Sequence, residues 1–124
     1  MGEADKTLDK LGEFVMANLR DPAIEFMELL AQGHWKAPSL QSLQSEVVAL
    51  PDDKKALVRR CVVQAIDAAI HDFLFKVGEV ADFEGDIQLV VDGQDVAHVS
   101  DGLAGEPYGD DGWQARFSRY GEST

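Results

Sequence analysis

Residues 51–77, PDDKKALVRRCVVQAIDAAIHDFLFKV, constrain the fold more tightly than any other part of the chain. Between positions 56 and 75, fourteen of twenty residues are apolar. Pro51 suits the first turn of a helix, where a missing N–H costs nothing. Asp52 and Asp53 follow, where the helix dipole favours negative charge. The run is too long for a strand. Arg59, Arg60, Gln64, Asp67, His71 and Asp72 interrupt it too often for a membrane span, which needs roughly 20 nearly uncharged residues. A helix apolar over most of its circumference is a core helix. The pattern therefore predicts a buried pillar around which the other elements assemble. Arg60, Gln64, Asp67 and His71 follow at steps of four, three and four, which makes one polar stripe. Such a stripe is either the helix's line of solvent contact or a polar network turned toward another element.

Upstream, Leu8, Leu11, Phe14, Val15 and Leu19 recur at helical spacing and predict a first helix over 7–19. Asp21-Pro22 then reads as a restart, with Asp21 as N-cap and Pro22 at the first helical position. Gly33 is placed to end this second helix. Trp35, just beyond it, is expected to lie across neighbouring helices with its N–H on a carbonyl. Leu40, Leu43 and Val47 predict a third helix, with Ser39 as its cap.

After Gly78 the pattern changes. EVADFEGD reads as an acidic loop, and IQLVV and QDVAHVS flank Asp92-Gly93 as two strands of a hairpin. The tail is glycine-rich. Its Trp113, Phe117 and Tyr120 predict a short last helix over 112–120, capped by Asp111 and docked on the core. The expected fold is α+β, a single domain over 1–124. Its helical part covers 7–77, and the hairpin and the aromatic tail cover 86–121.

The formal net charge is −12, and it is unevenly placed. Between Val77 and Asp111 lie ten acids, from Glu79 to Asp111, with no Lys or Arg among them. A field of one sign disfavours nucleic acid and anionic membranes and favours a basic protein partner or a cation. The N-terminus lacks a basic-then-apolar leader pattern, so a soluble, cytoplasmic protein is expected. The single cysteine, Cys61, rules out an intrachain disulfide and is expected to be a small buried hydrophobe.

Chemistry is sparse. Asp67 and His71 are four apart, a spacing at which a carboxylate can fix an imidazole tautomer for base chemistry or metal ligation. His98 is the candidate third member. A zinc site needs about four ligands, for which His98, Asp101 and Asp82 are the remaining candidates. HExxH and paired-cysteine spacings are absent, as are Gly-rich phosphate loops, and no cofactor is expected. DFEGD and DGQD bring carboxylates together, without the spacing of a twelve-residue calcium loop.

The strongest interaction patch combines Tyr108 and Trp113 with Glu106, Asp110 and Asp111. Aromatics anchor interfaces, and charges steer and select partners. Size and charge together point to a non-enzymatic, acidic interaction module that binds a basic protein, in the manner of an immunity-like or antitoxin-like inhibitor. The alternatives are a small hydrolase or metal-dependent enzyme using the Asp/His pair, and a homodimeric structural protein joined through the hairpin edge or the tail aromatics.

Overall fold

A computed structural model describes residues 3–83 and 86–121, with side chains described for 5–80 and 86–121. The chain begins with α1 (Glu3–Val15), which runs without a break through one π-helical turn (Met16–Arg20) into α2 (Asp21–Ala31). Asp21 does not restart the helix as an N-cap. Its backbone is helical (φ −61°, ψ −45°), and its N–H bonds to the carbonyl of Met16. Pro22 supplies the physical reason: it cannot donate to the preceding turn, and its ring crowds the carbonyl four residues back. A wider turn just before it relieves that crowding, so the helix continues. Met16 and Arg20, both on this turn, are fully buried.

Gly33 (φ +72°) ends α2 as expected. Trp35 then stacks on Phe26 with ring centroids 5.4 Å apart, and its Nε1–H donates to the Phe26 carbonyl at 3.3 Å. Buried Gln44 clasps the Trp35 backbone, accepting from its N–H at 2.9 Å and donating to its carbonyl at 3.0 Å. Ser39 lies inside a 3-10 turn (Pro38–Leu40) that precedes α3 (Gln41–Val48), and so does not cap that helix.

The pillar is α4 (Asp52–Phe83). It runs past the expected end at residue 77, through most of the segment read as an acidic loop. Glu84 and Gly85 of that segment lie outside the described residues. Val63, Ile70, Leu74 and Val77 are buried along one side of α4. Ile70, Leu74 and Val77 join Leu8, Leu11, Met16, Val96, Leu103 and Trp113 in the main core. Nearer its N-terminus, Val58 and Val62 lie against a smaller cluster of Met27, Leu30 and Val47.

The expectation that α4 is buried nearly all round is corrected. Leu57 is 46% exposed, Phe73 58% and Phe75 55%. Cys61 is exposed as well, so it is not the buried hydrophobe its neighbours implied. Length explains the difference. A helix of 32 residues is about 48 Å long, and the shorter elements around it lie along only part of its circumference. Apolar atoms make up about 55–60% of ordinary protein surface, so an apolar sequence does not guarantee a covered face.

The hairpin consists of β1 (Val90–Val91) and β2 (Gln94–Asp95), antiparallel, with Val90 opposite Asp95 and Val91 opposite Gln94. Asp92 (φ +50°) and Gly93 (φ +79°) both take left-handed conformations, which is the type I′ turn that Asp-Gly favours. The second strand is shorter than expected. The Asp95 side chain accepts from the Ala97 N–H at 3.0 Å, and this N-cap turns the chain into α5 (Val96–Val99). Leu89, Val91 and Val96 face the main core, which supports a hairpin too short to stand alone.

The tail continues through a 3-10 turn (Leu103–Gly105) to α6 (Trp113–Phe117). This last helix is shorter than the expected 112–120, and Gly112, not Asp111, holds its N-cap position. Trp113 is fully buried, which removes it from the exposed aromatic patch to which it was assigned. Its ring lies directly on Gly12 of α1. A Cβ at position 12 would stand 2.3 Å from Trp113 Cδ1. The indole N–H finds no acceptor among the described residues, so packing alone holds the ring.

Candidate functional site

Asp67 and His71 project from the middle of α4, as their spacing requires. Asp67 faces the π turn, where the Arg20 side chain is 1% exposed. Arg20 Nε donates to Asp67 Oδ1 at 2.7 Å and Nη2 to Oδ2 at 3.3 Å. The same guanidinium donates through Nη1 to Ser118 Oγ at 2.9 Å and to the Tyr120 carbonyl. Ser118 Oγ in turn donates to buried Asp21 at 2.5 Å, and the Arg119 N–H donates to the other Asp21 oxygen at 2.9 Å. This network joins the π turn, α4 and the C-terminal tail. A guanidinium is suited to that position because it offers five donors in a fixed plane.

The Asp67 carboxylate is therefore committed to Arg20 and does not orient His71. His71 Nδ1 lies 3.0 Å from Asp72 Oδ1, and the ring is 48% exposed. Next to these residues opens a cleft of about 350 Å³ lined by Gln64, Asp67, Ala68, His71, Asp72, Tyr108 and Gln114. The Tyr108 hydroxyl donates to the Asp67 carbonyl at 3.0 Å, and its ring centroid is 6.3 Å from that of His71. Burial pushes the Tyr108 phenol above its ordinary value. The charge on Asp67 adds to the rise, and Arg20 opposes it.

His98 does not line this cleft. It sits on α5 with its side chain 62% exposed and Nδ1 3.7 Å from Asp95 Oδ2. Of the three candidate catalytic residues, then, two share a cleft and the third does not. Among the described residues, no three His, Cys, Asp or Glu side chains form a group able to hold a metal ion. The Asp82 side chain lies outside the described residues.

The predicted partner-binding residues divide differently. Asp110 and Asp111 are exposed, and their carboxylates make no ion pair with a described residue. Asp101 is exposed in the same way. Glu106 is half-buried and accepts from Ser100 Oγ at 2.5 Å. Tyr108 is partly exposed beside them, and Glu106, Tyr108 and Asp111 line one shallow depression. Arg116, the nearest base, is occupied. Its Nε donates to the Asp111 carbonyl and its Nη2 to Asp9, both at 2.8 Å.

The chain matches no protein-family model, no curated protein and no solved structure. No helix among the described residues is long and apolar enough to cross a membrane. Residue-level geometry is thus the whole basis for a functional reading. Arg20 is the residue that sequence reasoning missed. It follows Leu8, Gly12 and Met16 at four-residue steps, on the buried side of the helix, and a base continuing an apolar stripe is the signal that marks it.

Proposed function

We propose that this chain is a non-enzymatic interaction module that takes a basic protein partner on the acidic surface of its C-terminal segment. One observation carries the reading: the carboxylates of Asp101, Asp110 and Asp111 are exposed, with only the Arg116 charge acting on Asp111, in a 77–111 stretch that contains no Lys or Arg. Unpaired surface acids of one sign raise the local potential and speed encounter with a cationic partner. Tyr108 adds an aromatic contact among them. The commitment of Asp67 to Arg20 favours binding over base catalysis at the α4 cleft. An inhibitor that covers a cationic toxin, immunity-like or antitoxin-like, has these properties. A cytoplasmic setting, where thiols stay reduced, suits the exposed Cys61.

The test is calorimetric titration with a set of Lys- and Arg-rich peptides. Wild-type affinity should fall steeply between low and physiological salt. The triple variant Asp101→Lys, Asp110→Lys, Asp111→Lys should bind about tenfold more weakly or worse. Equal binding by the two proteins, or binding indifferent to salt, overturns the reading.

A further inference from the structure

We infer that the open face of α4 is a docking surface for a second copy of this chain, with the two helices antiparallel. The inference does not rest on the basic-partner reading, because the residues that carry it lie between 51 and 75, upstream of the acidic segment.

Lys54, Leu57, Cys61, Ala65, Ala68 and Asp72 follow at steps of three, four, four, three and four, which sets them on one face of the helix. All six are exposed. Leu57 is 46% exposed, and Phe75, three residues beyond Asp72 on the same line, is 55% exposed. Large apolar side chains lined up in water mark an interaction surface more often than a solvated one.

The charges decide the occupant. The stripe carries a base at one end, an acid at the other and only uncharged residues between them. Lys54 and Asp72 stand about 27 Å apart along the helix axis, and the Asp72 side chain is 80% exposed. A parallel pair of helices would set Lys54 against Lys54 and Asp72 against Asp72. An antiparallel pair, with its two-fold axis level with residue 63, sets each Lys54 against an Asp72. The pattern is complementary to itself, which is what an isologous interface requires.

The same register serves the apolar residues. Leu57 enters a hollow between Ala65, Ala68, Ala69 and Asp72 of the second copy, as a knob enters a hole. Cys61 meets Ala65, and Phe75 reaches Pro51. Small side chains at the centre let the two axes approach to about 8 Å, the short end of helix packing distances. Each copy carries a formal net charge of −12. At physiological salt the screening length is about 8 Å, so the pairs in contact outweigh the distant like charges. Contact along one helix face belongs at the small end of interfaces, under roughly 1,200 Å² in total. The two copies therefore associate weakly and separate on dilution.

Sedimentation equilibrium of the full chain at physiological salt tests this. The mass should rise from one copy toward two between about 1 µM and 1 mM protein, as mass action requires of a small interface. Lys54→Asp and Asp72→Lys should each weaken association about tenfold or more, since each variant brings two like-charged pairs into contact. The two together should restore it to within about threefold of wild type, because the swapped pairs match again. Ala65→Glu, beside the two-fold axis, should weaken it by more than about tenfold. These positions are exposed, so the folded monomer tolerates the changes. Labelling of Cys61 should slow in step with the fraction of dimer.

A single-copy mass across the whole range overturns the inference. So does a dimer that Ala65→Glu leaves intact. Failure of the double charge swap to rescue association rules out the antiparallel pairing. A dimer that forms while Cys61 labels at an unchanged rate is joined through another face, such as the hairpin edge or the tail, and the α4 assignment falls.

Discussion

Replacing Arg20 with alanine is expected to destabilise the protein by about 3–5 kcal/mol, the usual cost of removing one partner of a buried ion pair. Arg20 is fully enclosed, and its guanidinium serves Asp67, Ser118 Oγ and the Tyr120 carbonyl at once. Truncation leaves a largely buried carboxylate without its countercharge and takes the guanidinium donor from the Tyr120 carbonyl, while Ser118 Oγ keeps only the Tyr120 N–H as its donor, at 3.0 Å. Native stabilities are typically 5–15 kcal/mol, so the loss is a large fraction of the total. Lysine should not rescue it, because an ammonium cannot reproduce the two-pronged contact with Asp67. Arg20→Met combined with Asp67→Leu should recover part of the loss, since no unpaired charge then remains. Urea unfolding of the three variants reads this directly. If Arg20→Ala costs under about 1 kcal/mol, comparable to an exposed pair, the network is not a structural joint.

The second large effect is Gly12→Ala. Helix propensity alone predicts a gain of about 1 kcal/mol, because glycine is a poor residue inside a helix. Packing predicts the opposite. The new Cβ would lie 2.3 Å from Trp113 Cδ1 and 2.4 Å from Cγ, and the Trp113 ring is wholly enclosed, so it cannot swing out into solvent. Overpacking of this kind costs about 1–3 kcal/mol and occasionally more, so the steric term outweighs the propensity gain. A net loss of about 2 kcal/mol is expected in thermal or urea unfolding. A double-mutant cycle with Trp113→Leu should shrink the penalty at position 12, because the smaller side chain leaves room. Stabilisation by Gly12→Ala in the wild-type background would show that the ring does not lie on α1.

What the sequence reveals of this fold is mainly local. The long helix is legible because its apolar residues extend beyond any strand, and the Asp92-Gly93 turn because two adjacent positive φ angles demand those residue types. Pairings across the chain are not legible in the same way. Trp113 meets Gly12 from the other end of the sequence, and Arg20 meets Ser118 and Tyr120 over a similar separation. Nothing in the periodicity of either segment encodes those contacts.

Some local signals also compete. Asp95 sits in a run that alternates like a strand, but it is a strong helix cap as well, and capping prevails. Pro22 reads as the start of a helix, yet a helix already under way can absorb it with one π turn. At the candidate site, a four-residue step suggested an Asp67–His71 pair. Arg20 wins the carboxylate because a charge-assisted, two-pronged contact in a buried position outweighs a single bond to an exposed ring. The open face of α4 has another cause. Composition reports how apolar a face is, whereas coverage depends on how much chain remains to lie against it.

Central to all of this is a long helix anchored on one side, through Ile70, Leu74, Asp67 and the Trp113 core, and open on the other. Cys61 stands on the open side, and its thiol reports on that geometry directly. The measurement is the rate of thiol labelling in the folded protein at low concentration without denaturant. One thiol per chain should react to completion, within about tenfold of the rate in the unfolded chain, as an accessible thiol does. Labelling slowed by a factor of about 1,000 or more would mean that the thiol reacts only on unfolding, and would contradict the half-covered helix.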